Sequence, residues 1–92
     1  MNLGLAYYLT DRFDEAIKVL TRGIVQHPNF SGNYIVAAAA YARNHQPKEA
    51  TKAMEEVLRL HPFFSVHDYG SAFQRESDRE SIKEGLHLAG FK

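Results

Sequence analysis

The chain has 92 residues, enough for one small domain that buries only about 60–65% of the surface its unfolded form exposes. Eleven Lys and Arg balance eleven Asp and Glu, which excludes a single-signed field drawing the chain to nucleic acid or an anionic membrane. The absence of cysteine excludes disulfides and thiolate zinc sites and fits a reducing cytoplasm, the expected compartment.

The first helix opens on Leu3 and Tyr7, and the polar Thr10-Asp11-Arg12 stretch ends it. Asp14 and Glu15 begin a second helix, where carboxylates oppose the positive end of the helix dipole. Its apolar stripe is Ala16, Ile17, Leu20 and Ile24, at helical spacing. Tyr34, Ala37, Ala38 and Tyr41 lie on a third helix, broken at Arg43-Asn44-His45-Gln46. Pro47 follows at a favourable first-turn position, and Ala50, Met54, Val57 and Leu58 form the stripe of a fourth helix. Connections of about four residues make neighbouring helices antiparallel.

Beyond Pro62, Phe63-Phe64-Ser65-Val66 opens a short helix and Gln74–Ser77 reads as a loop. Ser77 or Asp78 is placed to cap a last helix, with Glu80 completing a capping-box-like start. Ile82, Leu86 and Ala89 are its apolar stripe, and Gly90 suits its stop. No stretch reaches the roughly 20 apolar residues that span a bilayer. The segment Met1–Leu9 lacks the basic start and cleavage site of a signal peptide.

An internal repeat underlies this order. His27-Pro28 and His61-Pro62 stand 34 residues apart. At the same offset of 34, Gly4, Tyr7, Ala16, Leu20, Gly23 and Pro28 fall on Ala38, Tyr41, Ala50, Met54, Val57 and Pro62. Small residues at 4, 16, 38 and 50 let paired helices approach closely, and the tyrosines fill the space beside them. Val57 replaces a small residue, which predicts wider packing at that crossing.

These positions resemble the tetratricopeptide repeat (TPR). Leu3-Gly4, Tyr7, Asp14-Glu15-Ala16, Leu20, Gly23 and Pro28 match its pattern in the first unit. Tyr34, Ala37-Ala38, Tyr41, Ala50, Met54 and Pro62 match it in the second. The resemblance implies an all-α, TPR-like helical solenoid of antiparallel helix pairs with a C-terminal capping helix. It divides the chain into a truncated repeat (1–28), a full repeat (29–62) and a degenerate repeat with capping helices (63–92). Because solenoids of this kind generally need three or more repeats, it also implies a piece of a larger protein. The closing segment, with its Leu86-x-x-Ala89-Gly90-Phe91-Lys92 end, more loosely resembles the C-terminal TPR region of certain bacterial multidomain proteins. In those, the repeats follow a class III adenylate cyclase domain or a winged-helix DNA-binding domain.

The residues offer no catalytic constellation. Ser65, His67 and Asp68 share one helix, where adjacent side chains diverge by about 100° and cannot relay a proton. His27 and His61 precede prolines at helix ends, where a cation-leaning ring suits the dipole, and no ligand spacing supports zinc. The glycines are isolated, so no phosphate loop is present. Lys48, Glu49, Lys52, Glu55, Glu56 and Arg59 read as a solvated outer face with i, i+4 pairs Lys52–Glu56 and Glu55–Arg59. Neither an enzyme nor a cofactor or metal is expected.

What remains is the inner face of the array. Carried over from the family, Leu5, Tyr8, Leu9, Ile35, Ala39, Ala42 and Arg43 face the groove, with Val66, Tyr69 and Phe73 from the third unit. The chaperone-tail-binding subgroup carries lysines and asparagines there. Here those positions hold Met1, Leu5, Val36, Val66 and Gly70, which supply no carboxylate clamp. The expected function is therefore a protein–protein interaction scaffold taking a partner protein or peptide in an apolar groove. The same residues could instead form intramolecular core, or be covered by further repeats or a second copy. The alternatives are homodimerisation, through Met1–Leu9 or the last helix, and cis-regulation as the C-terminal segment of a cyclase-like or transcription-regulator protein. No nucleic-acid, membrane or metal partner is expected.

Overall fold

The computed structural model describes residues 3–91, and all regular structure among them is helical. The order is α1 (Leu3–Leu9), α2 (Phe13–Gln26), α3 (Ser31–Arg43), α4 (Pro47–Leu60), α5 (Val66–Ser71) and α6 (Glu76–Ala89). Met1 and Lys92, which the sequence reading placed in a groove position and in the closing motif, lie outside the described residues.

The sequence repeat is also a backbone repeat. Helices α2 and α4 start and end 34 residues apart. The Arg12 amide donates to the Tyr7 carbonyl at 2.9 Å, as the Gln46 amide does to Tyr41. The amides of His27 and His61 close their helices onto the carbonyls of Gly23 and Val57, at 2.8 and 2.7 Å. Asp11 and His45, at equivalent places in the two turns, both adopt left-handed backbone, with φ of 62° and 61°. Two chemically different side chains in one strained conformation mean that the packing of the flanking helices dictates the turn.

Helix α3 is the centre of the molecule. It packs against α2 on one side and α4 on the other, and α6 and α1 also lie on it. Asn33 and Ile35 through Ala40 are all buried. A run of small residues can be enclosed on every side because each neighbour's backbone can approach closely. Ala16, Ala38 and Ala50 have at most 1% of their surface exposed, as close packing at the repeat positions requires. Val57, at the corresponding position of the second unit, is also fully buried. At the equivalent place in α2, a Cβ on Gly23 would meet the Asn33 amide at 2.7 Å.

The third unit departs from the repeat. Tyr34 donates its hydroxyl to the Pro28 carbonyl at 2.9 Å, tying one unit's end to the next helix. Asp68 stands at the position 34 residues on and cannot repeat that bond. Helix α5 runs only from Val66 to Ser71, with the Ser65 hydroxyl capping it by accepting from the Asp68 amide at 3.2 Å. It packs on α6 and on no other helix among the described residues.

The start of α6 differs from the sequence expectation. Neither Ser77 nor Asp78 caps it; the helix begins at Glu76 with Arg75 at the cap position. Arg79 reaches back to the carbonyls of Phe73 and Gln74, at 2.7 and 3.0 Å, and fixes the link one turn earlier. Glu76 and Asp78 then sit in the first turn, favourably against the dipole. The stop falls where expected: Gly90 has φ of 115°, and the Phe91 amide donates to the Leu86 carbonyl at 3.1 Å. On the outer face of α4 the expected i, i+4 pairs give way to one i, i+3 pair, Arg59 to Glu56 at 2.7 Å.

Candidate interaction surfaces

Helix α6 lies across α1 and α3, on the residues the sequence assigns to the inner groove. Tyr8 and Ala39 retain no exposed surface. Gly85 rests on both: its missing side chain leaves the space that the Tyr8 hydroxyl and the Ala39 methyl occupy. The Tyr8 hydroxyl donates to the Ser81 carbonyl at 2.6 Å, and its ring packs on Phe13 with centroids 5.5 Å apart. Burial, the main cause, pushes the Tyr8 phenol above its ordinary value.

Arg43 closes the edge of this face. Its guanidinium lies 3.6 Å from Glu84 and 3.9 Å from Asp11, and 5.2 Å from the centre of the Phe13 ring. Both carboxylates are well exposed, so these pairs add little stability and mainly orient the arginine. Leu5, Leu9 and Ala42 are half-buried and pack against the core. The expected open groove is thus filled: Tyr8, Ala39 and Arg43 contact the chain's own last helix, and no partner can reach Tyr8 or Ala39 in this arrangement.

Ile35, Tyr69 and Phe73 belong elsewhere. Because α5 is short and leans on α6 alone, a cleft of about 540 Å³ opens between it, the start of α3 and the turn after α4. Ile35, Pro62, Phe63, Phe64, Tyr69 and Ala72 supply its apolar lining, and Ser31, His61, Ser65 and Asp68 its polar groups. Phe63 is 97% exposed at this cleft. Behind it runs an aromatic chain: Phe91 to Phe64 at 5.1 Å, Phe64 to Tyr69 at 5.9 Å, and Tyr69 to Phe73 at 5.7 Å. Burial pushes the Tyr69 phenol up to about 12. Val66, also expected at the groove, is buried.

The sequence reading missed Pro62, Phe63, Phe64 and Ala72 as surface-forming residues. The sequence expects Phe63 and Phe64 to open a helix, but α5 begins only at Val66 with Ser65 at its cap, which leaves both phenylalanines in the link after α4. A second groove of about 470 Å³ lies on α2 among Ile17, Lys18, Thr21, Arg22, Val25 and Gln26.

The Ser65 hydroxyl oxygen, beside His67 and Asp68 in sequence, is engaged in capping α5. Among the described residues no three His, Asp or Glu side chains gather as a metal site, and no helix is long and apolar enough to cross a membrane. No protein-family model, curated protein or solved structure matches this chain.

Proposed function

We propose that the chain is a TPR-like protein-interaction module whose open binding surface is the cleft between α3 and α5. The observation that carries this is Phe63, almost fully exposed beside Pro62, Phe64, Ile35, Tyr69 and Ala72. An exposed aromatic on the wall of an apolar concavity, with only a few polar groups around it, suits an apolar side chain or short helix from another protein. The repeated helix pairs below it supply a rigid support, and the buried alanines at 16, 38 and 50 follow the spacing that the TPR resemblance rests on.

The test uses a random-peptide display library selected on the full chain. Binders should be rich in apolar residues, and Phe63→Asp or Ala72→Glu should abolish their binding while the circular dichroism spectrum stays unchanged. Binders indifferent to both substitutions would remove the cleft from consideration.

Homodimerisation is the second reading. Leu3 on α1 and Leu88 on α6 are 56% and 61% exposed, on the two elements expected to form that contact. Sedimentation of the full chain separates the readings: a monomer at high concentration, unaffected by Leu88→Glu, rules out the dimer.

A further inference from the structure

Helices α2 and α6 both pack on α3 and make no contact with each other. Each uses its charges of one sign within the chain and leaves the other sign outside. On α2, Asp14 accepts from the Asn44 side-chain amide at 3.0 Å, and Glu15 accepts from Arg12 at 2.8 Å. The side chains of Lys18 and Arg22 are exposed and form no ion pair among the described residues. On α6 the cations are the engaged groups. Arg79 holds the carbonyls of Phe73 and Gln74, and Lys83 lies along Gly70 of α5. Glu76, Glu80 and Glu84 are exposed at four-residue steps, and Leu88 continues their row. Of these carboxylates, only Glu84 has a cation near it among the described residues, Arg43 at 3.6 Å.

The apolar parts match as the charges do. Ile17, Thr21 and Val25 line the groove on α2 beside Lys18 and Arg22, and Val25 is 77% exposed. Along α2 the order is Lys18, Arg22, Val25; along α6 it is Glu80, Glu84, Leu88. Residues four apart on a helix are neighbours on one face, so cations and carboxylates recur at the same step. In a parallel alignment Glu80 and Glu84 fall on Lys18 and Arg22, and Leu88 falls on Val25. The like charges of Glu76 and Asp14 meet only at the end of this alignment, where solvent screens them.

We propose that the exposed row of α6 on one copy docks in the α2 groove of a second copy. The contact rests on the self-association reading and specifies its surfaces, with α2 rather than α1 opposite α6. Because the two surfaces differ, the interface is heterologous, and copies join head to tail until the series closes. A net charge of zero leaves no long-range repulsion to keep copies apart.

Sedimentation of the full chain over concentration and salt tests this contact. Association should be strongest at low ionic strength and at least about tenfold weaker at about 0.5 M salt. Lys18→Glu with Arg22→Glu makes both surfaces acidic, and Glu80→Lys with Glu84→Lys makes both basic. Each variant should be monomeric with an unchanged circular dichroism spectrum, and one chain carrying all four substitutions should associate again. Lys48→Glu with Lys52→Glu on α4 shifts the net charge as much as the α2 reversal does, and should leave association intact. Phe63→Asp, at the α3–α5 cleft, should also leave it intact. A wild-type chain that stays monomeric at high concentration overturns this contact and the self-association reading together. Self-association that survives either reversal overturns the contact alone. If a reversal costs helical content, Val25→Asp decides: lost association supports the contact, and retained association overturns it.

Discussion

The hydroxyl oxygen of Tyr8 stands in the space that a side chain on Gly85 would need. Residues 8 and 85, more than seventy positions apart in sequence, meet there, and the Tyr8 hydroxyl also donates to Ser81, 73 residues away. A side chain cannot be added at Gly85 without moving Tyr8 or Ala39.

Gly85→Ala tests that fit in its mildest form. Alanine gains up to about 1 kcal/mol of helix propensity over glycine, but the overlap should cost about 1–3 kcal/mol. Urea unfolding should show a net loss of stability. Tyr8→Phe keeps the packing and removes the bond to Ser81, so it should cost less, about 0.5–1.5 kcal/mol.

The repeat makes paired predictions. Ala16 and Ala50 are both buried at the equivalent crossing, so Ala16→Leu and Ala50→Leu should each destabilise by about 1–3 kcal/mol. Thr51→Leu, beside Ala50 but exposed, should change stability by less than about 0.5 kcal/mol in a thermal melt. Equal effects at positions 50 and 51 would contradict the register.

His45 holds left-handed backbone that glycine adopts without strain. His45→Gly should stabilise by about 0.5–1 kcal/mol, the relief of that strain less the added freedom of the unfolded chain. Asp11→Gly should gain less, because Asp11 also lies beside Arg43. Chemical denaturation of the two variants side by side makes the comparison.

Tyr69 gives a pH dependence. Its phenol is pushed from 10.0 up to about 12 by burial. The unfolded chain therefore loses this proton before the folded one does. The resulting stability is fully present below pH 10.0 and is lost as pH rises toward about 12. Denaturation midpoints measured across that interval should fall, and Tyr69→Phe should flatten the decline. In an ultraviolet titration, Tyr69→Phe should remove part of the late tyrosinate absorbance.

Much of the local structure was legible without coordinates, because it rests on rules that act within a few residues. Proline at 28, 47 and 62, glycine at 90 and the polar breaks at 10–12 and 43–46 mark helix ends through backbone chemistry alone. The 34-residue spacing of small residues fixed which helices approach closely, and Ala16, Ala38 and Ala50 are buried accordingly. The all-helical architecture followed from those features. The start of α6 was not legible, since Arg79 selects it by reaching two carbonyls outside the helix.

The fate of the inner face was decided only by tertiary structure. Leu5, Tyr8, Ile35 and Ala39 have the same composition whether they bind a partner, a second copy or another part of the chain. Apolar burial is non-directional and names no occupant. Gly85 seats α6 on that face at a distance no spacing rule reaches, while the short α5 leaves the α3–α5 cleft open with Phe63 beside it.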